Sequence, residues 1–261
     1  MPQNKLFSLA VIFMIIVFAI SNIVSAMQIK DNSVLQIDQF TSVPSFTGTS
    51  TYDERTQSFF DFLSPIVKAE NSYIMRDRIR LLKLIKKFAN NKLNEDDINW
   101  IDKKAQYYKL SHFSHNDPED LANLLTRIDI IPELLVMSQA AIESAHGTSN
   151  FAKRANNLFG MRTLSPNRGI IPKRRPKNRH FYVAKYDTVN QSIQSYLRNL
   201  NTHGAYKDLR DMRQEFRQTE KPLDAYKLVN GLKKYSTEGD IYIQKIRRTM
   251  KKNESRIIQN I

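Results

Sequence analysis

Residues 139–147 read QAAIESAHG, and residues 155–162 read ANNLFGMR. The first stretch places Glu143 near the end of a predicted helix whose other residues are mostly small or apolar, shortly before Gly147. Glu143 shares one helix face with Gln139, because the two are four residues apart. Small neighbours allow close helix packing, which would bury or half-bury the carboxyl group of Glu143. These two stretches predict a packed helix that ends at a single acid.

The sequence after Glu143 contains no acidic residue until Asp187. Residues 144–186 hold ten Lys and Arg and no Asp or Glu. A carboxyl group with few polar neighbours keeps its proton to higher pH, because desolvation disfavours the anion. Such a group can act as a general acid near neutral pH. Most helical glutamates are simply solvated, so the pattern alone leaves a structural role open.

The amino-acid composition indicates which kind of molecule the protein binds. The 261-residue chain has a formal net charge of +14 and a hydrophobic content of 41%, which is enough for a substantial core. A strongly basic chain favours polyanionic partners such as nucleic acid, anionic lipid surfaces or an acidic cell-wall polymer.

The N-terminus predicts export from the cytoplasm. Lys5 precedes the apolar run 6–20, and the small residues at 24–26 suit cleavage by a signal peptidase. Residues 1–26 are therefore predicted to be a signal peptide, with an uncleaved membrane anchor as the alternative. Either reading places the folded part outside the cytoplasm, periplasmic or secreted, and argues against a nucleic-acid partner. Contact with a membrane is expected only through this segment.

The sequence argues against a metal site and against thiol chemistry. The chain has no cysteine, and its five histidines show no HExxH or HxxE spacing. We therefore expect no metal site, no disulfide and no cofactor.

The rest of the chain reads as helices interrupted by one small β element. Residues 27–52 are polar and are predicted to form a flexible tether. Residues 53–128 form a predicted N-terminal helical region of four helices, with separate helices from residue 53 and over 73–90. Residues 129–261 form a second region, with further helices at 189–201, 207–217, 222–229 and 239–252. The fold class is mainly α (α+β), with a small β-lobe within 162–185.

Several ordered motifs resemble the glucosaminidase family of peptidoglycan hydrolases, which includes the hydrolase domains of flagellar rod-cap proteins and several autolysins. The two opening stretches match, and the later segments follow in order: KYD at 185–187, SIQSY at 192–196, NTHGAY at 201–206 and GLKKYS at 231–236. The resemblance covers about 129–252. The N-terminal helices and the Asn-Thr-His run look most like the Bax-type proteins of this family.

The resemblance implies a lysozyme-like fold and cleavage of the β-1,4 bond after N-acetylglucosamine in peptidoglycan. It implies that Glu143 is the general acid and that Tyr235 positions the substrate or a water molecule. The substrate-binding candidates lie beside the acid or in the later motifs: Asn157, Phe159, Arg162 and His203. For Asn157 and Phe159 a structural role, as a buried amide and a core ring, is the alternative.

The sequence departs from the family's pattern at the second acid. Glycosidases that use two carboxylates need a base or nucleophile at a defined distance from the acid. Family members that have one carry it in the β-lobe, where this chain has none. Asp187 and Glu238 are the candidates, although each could instead cap a helix. A one-carboxylate route is also open, with attack by the substrate's own acetamido group or by a water held near Tyr235.

Three functions stay open at this stage. The leading hypothesis is a monomeric endo-β-N-acetylglucosaminidase; the others are a non-catalytic wall-binding or scaffolding protein and a lytic transglycosylase. The basic stretch 162–185 either binds the carboxylates of the wall polymer or is a positive loop with no fixed role.

Overall fold

The computed structural model describes residues 37–46, 51–172 and 180–258. This part of the chain is mainly helical and includes one three-stranded sheet, as predicted. The helices, in chain order, are α1 (Tyr52–Ala89), α2 (Glu95–Tyr107), α3 (Pro118–Arg127), α4 (Glu133–Ser144), α5 (Asn150–Ala155), α6 (Val189–Thr202), α7 (Lys207–Gln218), α8 (Ala225–Leu228) and α9 (Asp240–Ile258). Short 3-10 turns occupy Pro166–Arg168, Gly204–Tyr206 and Val229–Leu232.

Helix α1 is one continuous helix of 38 residues, so the prediction of two separate helices is wrong. A capping box formed by Thr51 and Glu54 begins it. Glu70 and Asn71, which lie just before the predicted second helix, are buried within α1. Asn71 donates to the carbonyl of Ile131 at 2.9 Å and accepts from the Ile131 N–H at 3.3 Å. Because this pair satisfies the buried amide, the helix continues through a polar stretch without a break.

Two hydrophobic cores share α1. The first half of the helix packs into the larger core, which also contains α4, α6 and α9, through Phe59, Leu63 and Val67. The second half packs with α2 and α3 through Leu81 and Ile85. Helix α1 thus packs both with helices before residue 129 and with helices after it. The boundary between two regions at 128/129 stays a prediction from the sequence.

The β-lobe consists of β1 (Arg162–Thr163), β2 (Gly169–Ile170) and β3 (Tyr182–Ala184). The strand order is β1-β3-β2, and both pairings are antiparallel, with Arg162 and Ile170 each opposite Val183. The lobe follows α5 directly. Asn156 ends α5 in a left-handed conformation with φ of 51°.

Residues 37–46 lie on the larger core, which differs from the flexible tether predicted for 27–52. Val43 and Phe46 are buried. The backbone of Phe40 accepts from the Val189 N–H at 2.8 Å and donates to the Asn190 side chain at 3.1 Å. We call residues 37–46 the N-terminal strap. The predicted signal segment 1–26 lies outside the described residues, and no helix in the described ranges is long and apolar enough to cross a membrane.

Candidate active site

The C-terminal turn of α4 fixes the position of Glu143. Ala145, His146 and Gly147 are all left-handed, with φ of 51°, 53° and 75°. The Ser144 hydroxyl accepts from the Gly147 N–H at 2.8 Å and donates to a carbonyl one turn back. Ala145 rather than Gly147 is the C-terminal cap. Gly147 is required for another reason, because a Cβ there would lie 2.9 Å from the Phe46 ring.

The two carboxylate oxygens of Glu143 have different surroundings. The Tyr242 hydroxyl donates to Oε1 at 2.7 Å. Oε2 faces Gly160, where an added Cβ would lie 3.3 Å from it. Gly160 is exposed, has φ of +63° and carries no side chain that could cover Oε2. The arrangement therefore gives Glu143 one oxygen held by Tyr242 and one oxygen that lies next to an exposed glycine.

Burial raises the pKa of Glu143 above its ordinary value. The hydrogen bond from Tyr242 opposes this effect, and the negative charge of Glu238 adds to it. The physical reason for the main effect is that a half-buried carboxyl group loses hydration that would stabilise its anion. A raised pKa keeps the group protonated nearer to neutral pH, which suits a general acid.

Buried polar side chains support Glu143 from behind. The amide Nε2 of Gln139 donates to the Tyr242 hydroxyl at 3.0 Å. The hydroxyl of the fully buried Tyr196 donates to Gln139 Oε1. Burial and the neighbouring charge of Glu143 raise the pKa of both tyrosines, so both hydroxyls stay neutral. The site is thus backed by a chain of satisfied hydrogen bonds.

Tyr235 lies against Tyr242, the hydrogen-bond partner of Glu143, and its role in positioning the substrate or a water molecule stays a prediction. Its ring stacks on Tyr242 with 5.6 Å between centroids and 1° between planes. Its hydroxyl donates to the Phe159 carbonyl at 2.8 Å. Burial and the surrounding tyrosines and Glu143 hold its pKa well above the ordinary value. Tyr235 therefore stays neutral, and since its proton is committed, its oxygen is left as a hydrogen-bond acceptor.

Asn157 and Phe159 are buried beneath the site. The Asn157 amide donates at 2.8 Å to the carbonyls of Met161 and Ala184, and its oxygen accepts from two backbone N–H groups. Phe159 is 1% exposed and stacks on Tyr196 at 3.9 Å. Both side chains are buried with their partners within the protein, which favours the structural alternative, and a role in substrate binding stays a prediction.

Arg162 and His203 are exposed and stay available to a ligand. The Arg162 guanidinium lies 4.2 Å from the centroid of the Phe181 ring in the β-lobe. The His203 ring lies 5.8 Å from Tyr206, which in turn lies 5.9 Å from Tyr235. Their place beside the site is compatible with the predicted binding roles, which stay predictions.

Comparison with known proteins identifies the family. The family described as mannosyl-glycoprotein endo-beta-N-acetylglucosaminidase (Glucosaminidase) matches residues 118–255, more than half of the chain. The chain belongs to the glucosaminidase family. It is also similar to Protein bax of Escherichia coli (strain K12), with 29% identity over 201 residues that cover 77% of this chain and 70% of that protein. No solved structure matches. Membership and the likeness to Bax-type proteins are confirmed, and they make a glycosidase of the peptidoglycan-related kind the coarse functional class.

The two candidates for a second catalytic carboxylate in this glucosaminidase-family chain are Asp187 and Glu238. Neither is half-buried as Glu143 is. Asp187 is exposed, and the helix cap beside it is Thr188 and not Asp187. Glu238 is also exposed, and both its oxygens lie 2.7 Å from the Lys245 ammonium. Of the two, only Glu238 is among the charges that act on the pKa of Glu143.

Sequence reasoning missed Tyr242. A signal for it exists, because Tyr242 shares the buried stripe of α9 with Ile246 and Met250 at spacings of four. A hydroxyl group on a buried stripe needs a hydrogen-bond partner, and an acid is a suitable one. The described residues contain no cluster of His, Asp and Glu suited to a metal ion.

Proposed function

We propose that this protein is an extracytoplasmic endo-β-N-acetylglucosaminidase that cleaves the β-1,4 bond after N-acetylglucosamine in peptidoglycan, with Glu143 as general acid. The supporting observation is the asymmetric carboxyl group of Glu143, in which Oε1 is held by Tyr242 and Oε2 lies next to the exposed Gly160. Its raised pKa supports the protonated form that the reaction needs.

The acid step transfers the Oε2 proton of Glu143 to the glycosidic oxygen. As the bond from the anomeric carbon to that oxygen breaks, its electron pair goes to the oxygen, which leaves as a hydroxyl group. A nucleophile forms the new bond at the anomeric carbon. Water is consumed overall, and one of its protons returns to Glu143 directly or through solvent, so the enzyme is regenerated.

The nucleophile need not be a protein carboxylate. Residues 144–186 contain no acid, and the two sequence candidates are exposed. The Tyr235 oxygen can accept a hydrogen bond, because its own proton is donated to the Phe159 carbonyl. It can therefore orient either the N–H of the substrate's acetamido group, whose oxygen then attacks, or a water molecule. Attack by the acetamido group gives retention at the anomeric carbon, and direct attack by water gives inversion.

The test is digestion of purified sacculi with the protein and with Glu143→Gln, followed by mass spectrometry of the product ends. We expect reducing N-acetylglucosamine ends from the wild type and their loss in the variant. Glu133→Gln is the matched control, because Glu133 is also a half-buried acid of α4 whose pKa burial raises, at the opposite end of the helix. It should release the same products at a similar rate.

The other outcomes each assign a different function. Anhydromuramic ends would identify a lytic transglycosylase. Binding to sacculi without release from either protein would identify a non-catalytic wall-binding protein. Activity retained in Glu143→Gln would remove Glu143 from the role of acid.

Location outside the cytoplasm rests on the sequence of residues 1–26 and on the net charge of +14, which suits the carboxylate-rich wall polymer. Fractionation of cells that express the full chain tests it. Recovery of the protein from the cytoplasmic fraction alone would contradict the proposed substrate.

A further inference from the structure

We infer that Tyr242 is the positioning residue of this site, and that with Gln139 and Tyr196 it forms a one-way hydrogen-bond chain that leaves the transferable proton of Glu143 on Oε2. The inference rests on the proposed role of Glu143 as an acid and deepens it. The chain joins three helices, because Gln139 and Glu143 lie on α4, Tyr196 on α6 and Tyr242 on α9.

The donors and acceptors of the chain match in one direction. Tyr196 donates to Gln139 Oε1, the Gln139 amide donates to the Tyr242 hydroxyl, and Tyr242 donates to Glu143 Oε1. With the amide flipped, its oxygen would face Tyr242 and compete with Glu143 for the same proton. The flip would also point an N–H₂ group at Tyr196, whose hydroxyl proton would lose its acceptor. Tyr196 therefore fixes the orientation of the amide, and the amide fixes the direction in which Tyr242 donates.

Ring packing holds the hydroxyl groups in place. Tyr196 is fully buried and stacks on Phe159 at 3.9 Å with 12° between the planes. Tyr242 is 3% exposed and stacks on Tyr235. Because each ring is stacked on another ring, its hydroxyl group stays in place and does not move with a rotation of the Glu143 carboxyl group. The chain thus holds one oxygen of Glu143, Oε1, in a fixed position.

The consequence for Glu143 is that Oε1 always acts as an acceptor. A proton bound to the carboxyl group therefore lies on Oε2, the oxygen next to the exposed Gly160. Without the Tyr242 hydroxyl, the carboxyl group could carry its proton on either oxygen, and half of those states would point the proton into the protein. Tyr242 is a positioning residue because it acts on the reacting group without contacting the substrate.

Besides burial, the groups that act on the titration of Glu143 are the hydroxyl of Tyr242 and the charge of Glu238. The facing tyrosines Tyr196, Tyr206 and Tyr235 have pKa values that the charge of Glu143 raises, and they stay neutral. The hydrogen bond from Tyr242 lowers the pKa of Glu143, and Glu238 raises it. Loss of the Tyr242 hydroxyl should therefore raise the pKa of Glu143.

The test compares Tyr242→Phe with the wild type. We expect kcat to fall about 10- to 100-fold with little change in KM, because the acid is misdirected while the groove is intact. The alkaline limb of the pH–rate profile should move to higher pH. A purely structural role for Tyr242 would lower the amount of folded enzyme without moving that limb.

Two further variants make the result specific. Tyr186→Phe is the matched control, because it removes a half-buried hydroxyl that donates to Ser195 at 2.8 Å outside this chain, and it should leave the profile unchanged. Tyr196→Phe keeps the stacked ring but frees the Gln139 amide to flip. It should move the limb in the same direction as Tyr242→Phe and by a smaller amount. Tyr196→Phe also serves if Tyr242→Phe does not fold.

Direct titration of Glu143 separates this inference from the proposed function. Isotope-edited infrared or carbon NMR of the Glu143 carboxyl group reports its pKa without any substrate. An unchanged carboxyl pKa and an unchanged pH profile in folded Tyr242→Phe would overturn the inference. Activity retained in Glu143→Gln would overturn the proposed function instead, whatever the titration shows.

Discussion

At the residue scale, the charge of Glu238 influences the protonation of Glu143. Glu238 is exposed and paired with Lys245, yet its negative charge raises the pKa of Glu143. Glu238→Gln removes the like charge, so we expect a lower pKa for Glu143 and an alkaline limb at lower pH. At pH values below that limb the rate should change about fivefold or less, because an exposed charge contributes about 1 kcal/mol or less. The pH dependence of kcat/KM on soluble glycan measures both effects.

Asp187→Asn is the control for Glu238→Gln. Asp187 is exposed and does not belong to the charges that act on Glu143, so its variant should reproduce the wild-type profile. A loss of about a thousandfold or more in either variant would mark that residue as the second catalytic carboxylate. The one-carboxylate route would then be wrong.

At the element scale, the N-terminal strap supports the turn that carries Glu143. The ring of Phe46 lies against Gly147, and Thr41 accepts from the Asn156 amide at 2.9 Å. Phe46→Ala should destabilise the protein by about 3–5 kcal/mol, the usual range for a buried phenylalanine. It should also lower kcat, because the turn after Glu143 loses its packing.

Thermal unfolding and sacculus digestion measure both effects of Phe46→Ala. Ser42→Ala changes an exposed residue of the same strap and should match the wild type. Wild-type stability and activity in Phe46→Ala would show that the strap has no part in the site.

The same scale shows what the sequence could and could not predict. Capping residues and apolar spacing predicted most helices, and ordered motifs predicted Glu143 and Tyr235. The N-terminal strap was missed because its apolar residues are few and spaced among polar ones, and because part of its packing, such as that of Phe46 against Gly147, joins residues far apart in the sequence. The Tyr242 chain was missed for a similar reason, since Tyr242 and Glu143 are 99 residues apart. Periodicity reports which face is buried and not which hydroxyl meets which acid.

At the scale of the whole molecule, one buried carboxylate links the helical region before the site to the helices after it. Asp129 lies in the segment between α3 and α4. Arg217 of α7 binds it with two hydrogen bonds, of 3.0 Å and 2.7 Å, and Arg78 of α1 lies 3.5 Å away. Arg213, which is 1% exposed, donates to the Asp129 carbonyl and to Asn201 of α6. We therefore expect the described helices to unfold as one cooperative unit.

The dependence of the unfolding free energy on pH, in the acidic range, tests whether Asp129 and its arginines hold the two regions together. Burial alone would raise the pKa of Asp129, but the charges of Arg78, Arg213 and Arg217 outweigh it and hold the pKa at about 2. Because the folded pKa lies below the unfolded value of about 3.9, the contribution is complete above pH of about 4 and is lost as pH falls toward about 2.

Asp129→Asn should remove that part of the pH dependence and lower the unfolding free energy by about 3–5 kcal/mol at neutral pH, because buried guanidinium groups lose their counter-charge. Urea unfolding followed by circular dichroism, repeated across this pH range, measures both. Asp211→Asn, which loses only a surface pair with Lys207, should change stability by about 0.5 kcal/mol or less. Two separate transitions in the wild type, or a neutral effect of Asp129→Asn, would show that the helical region before the site folds independently of the site it adjoins.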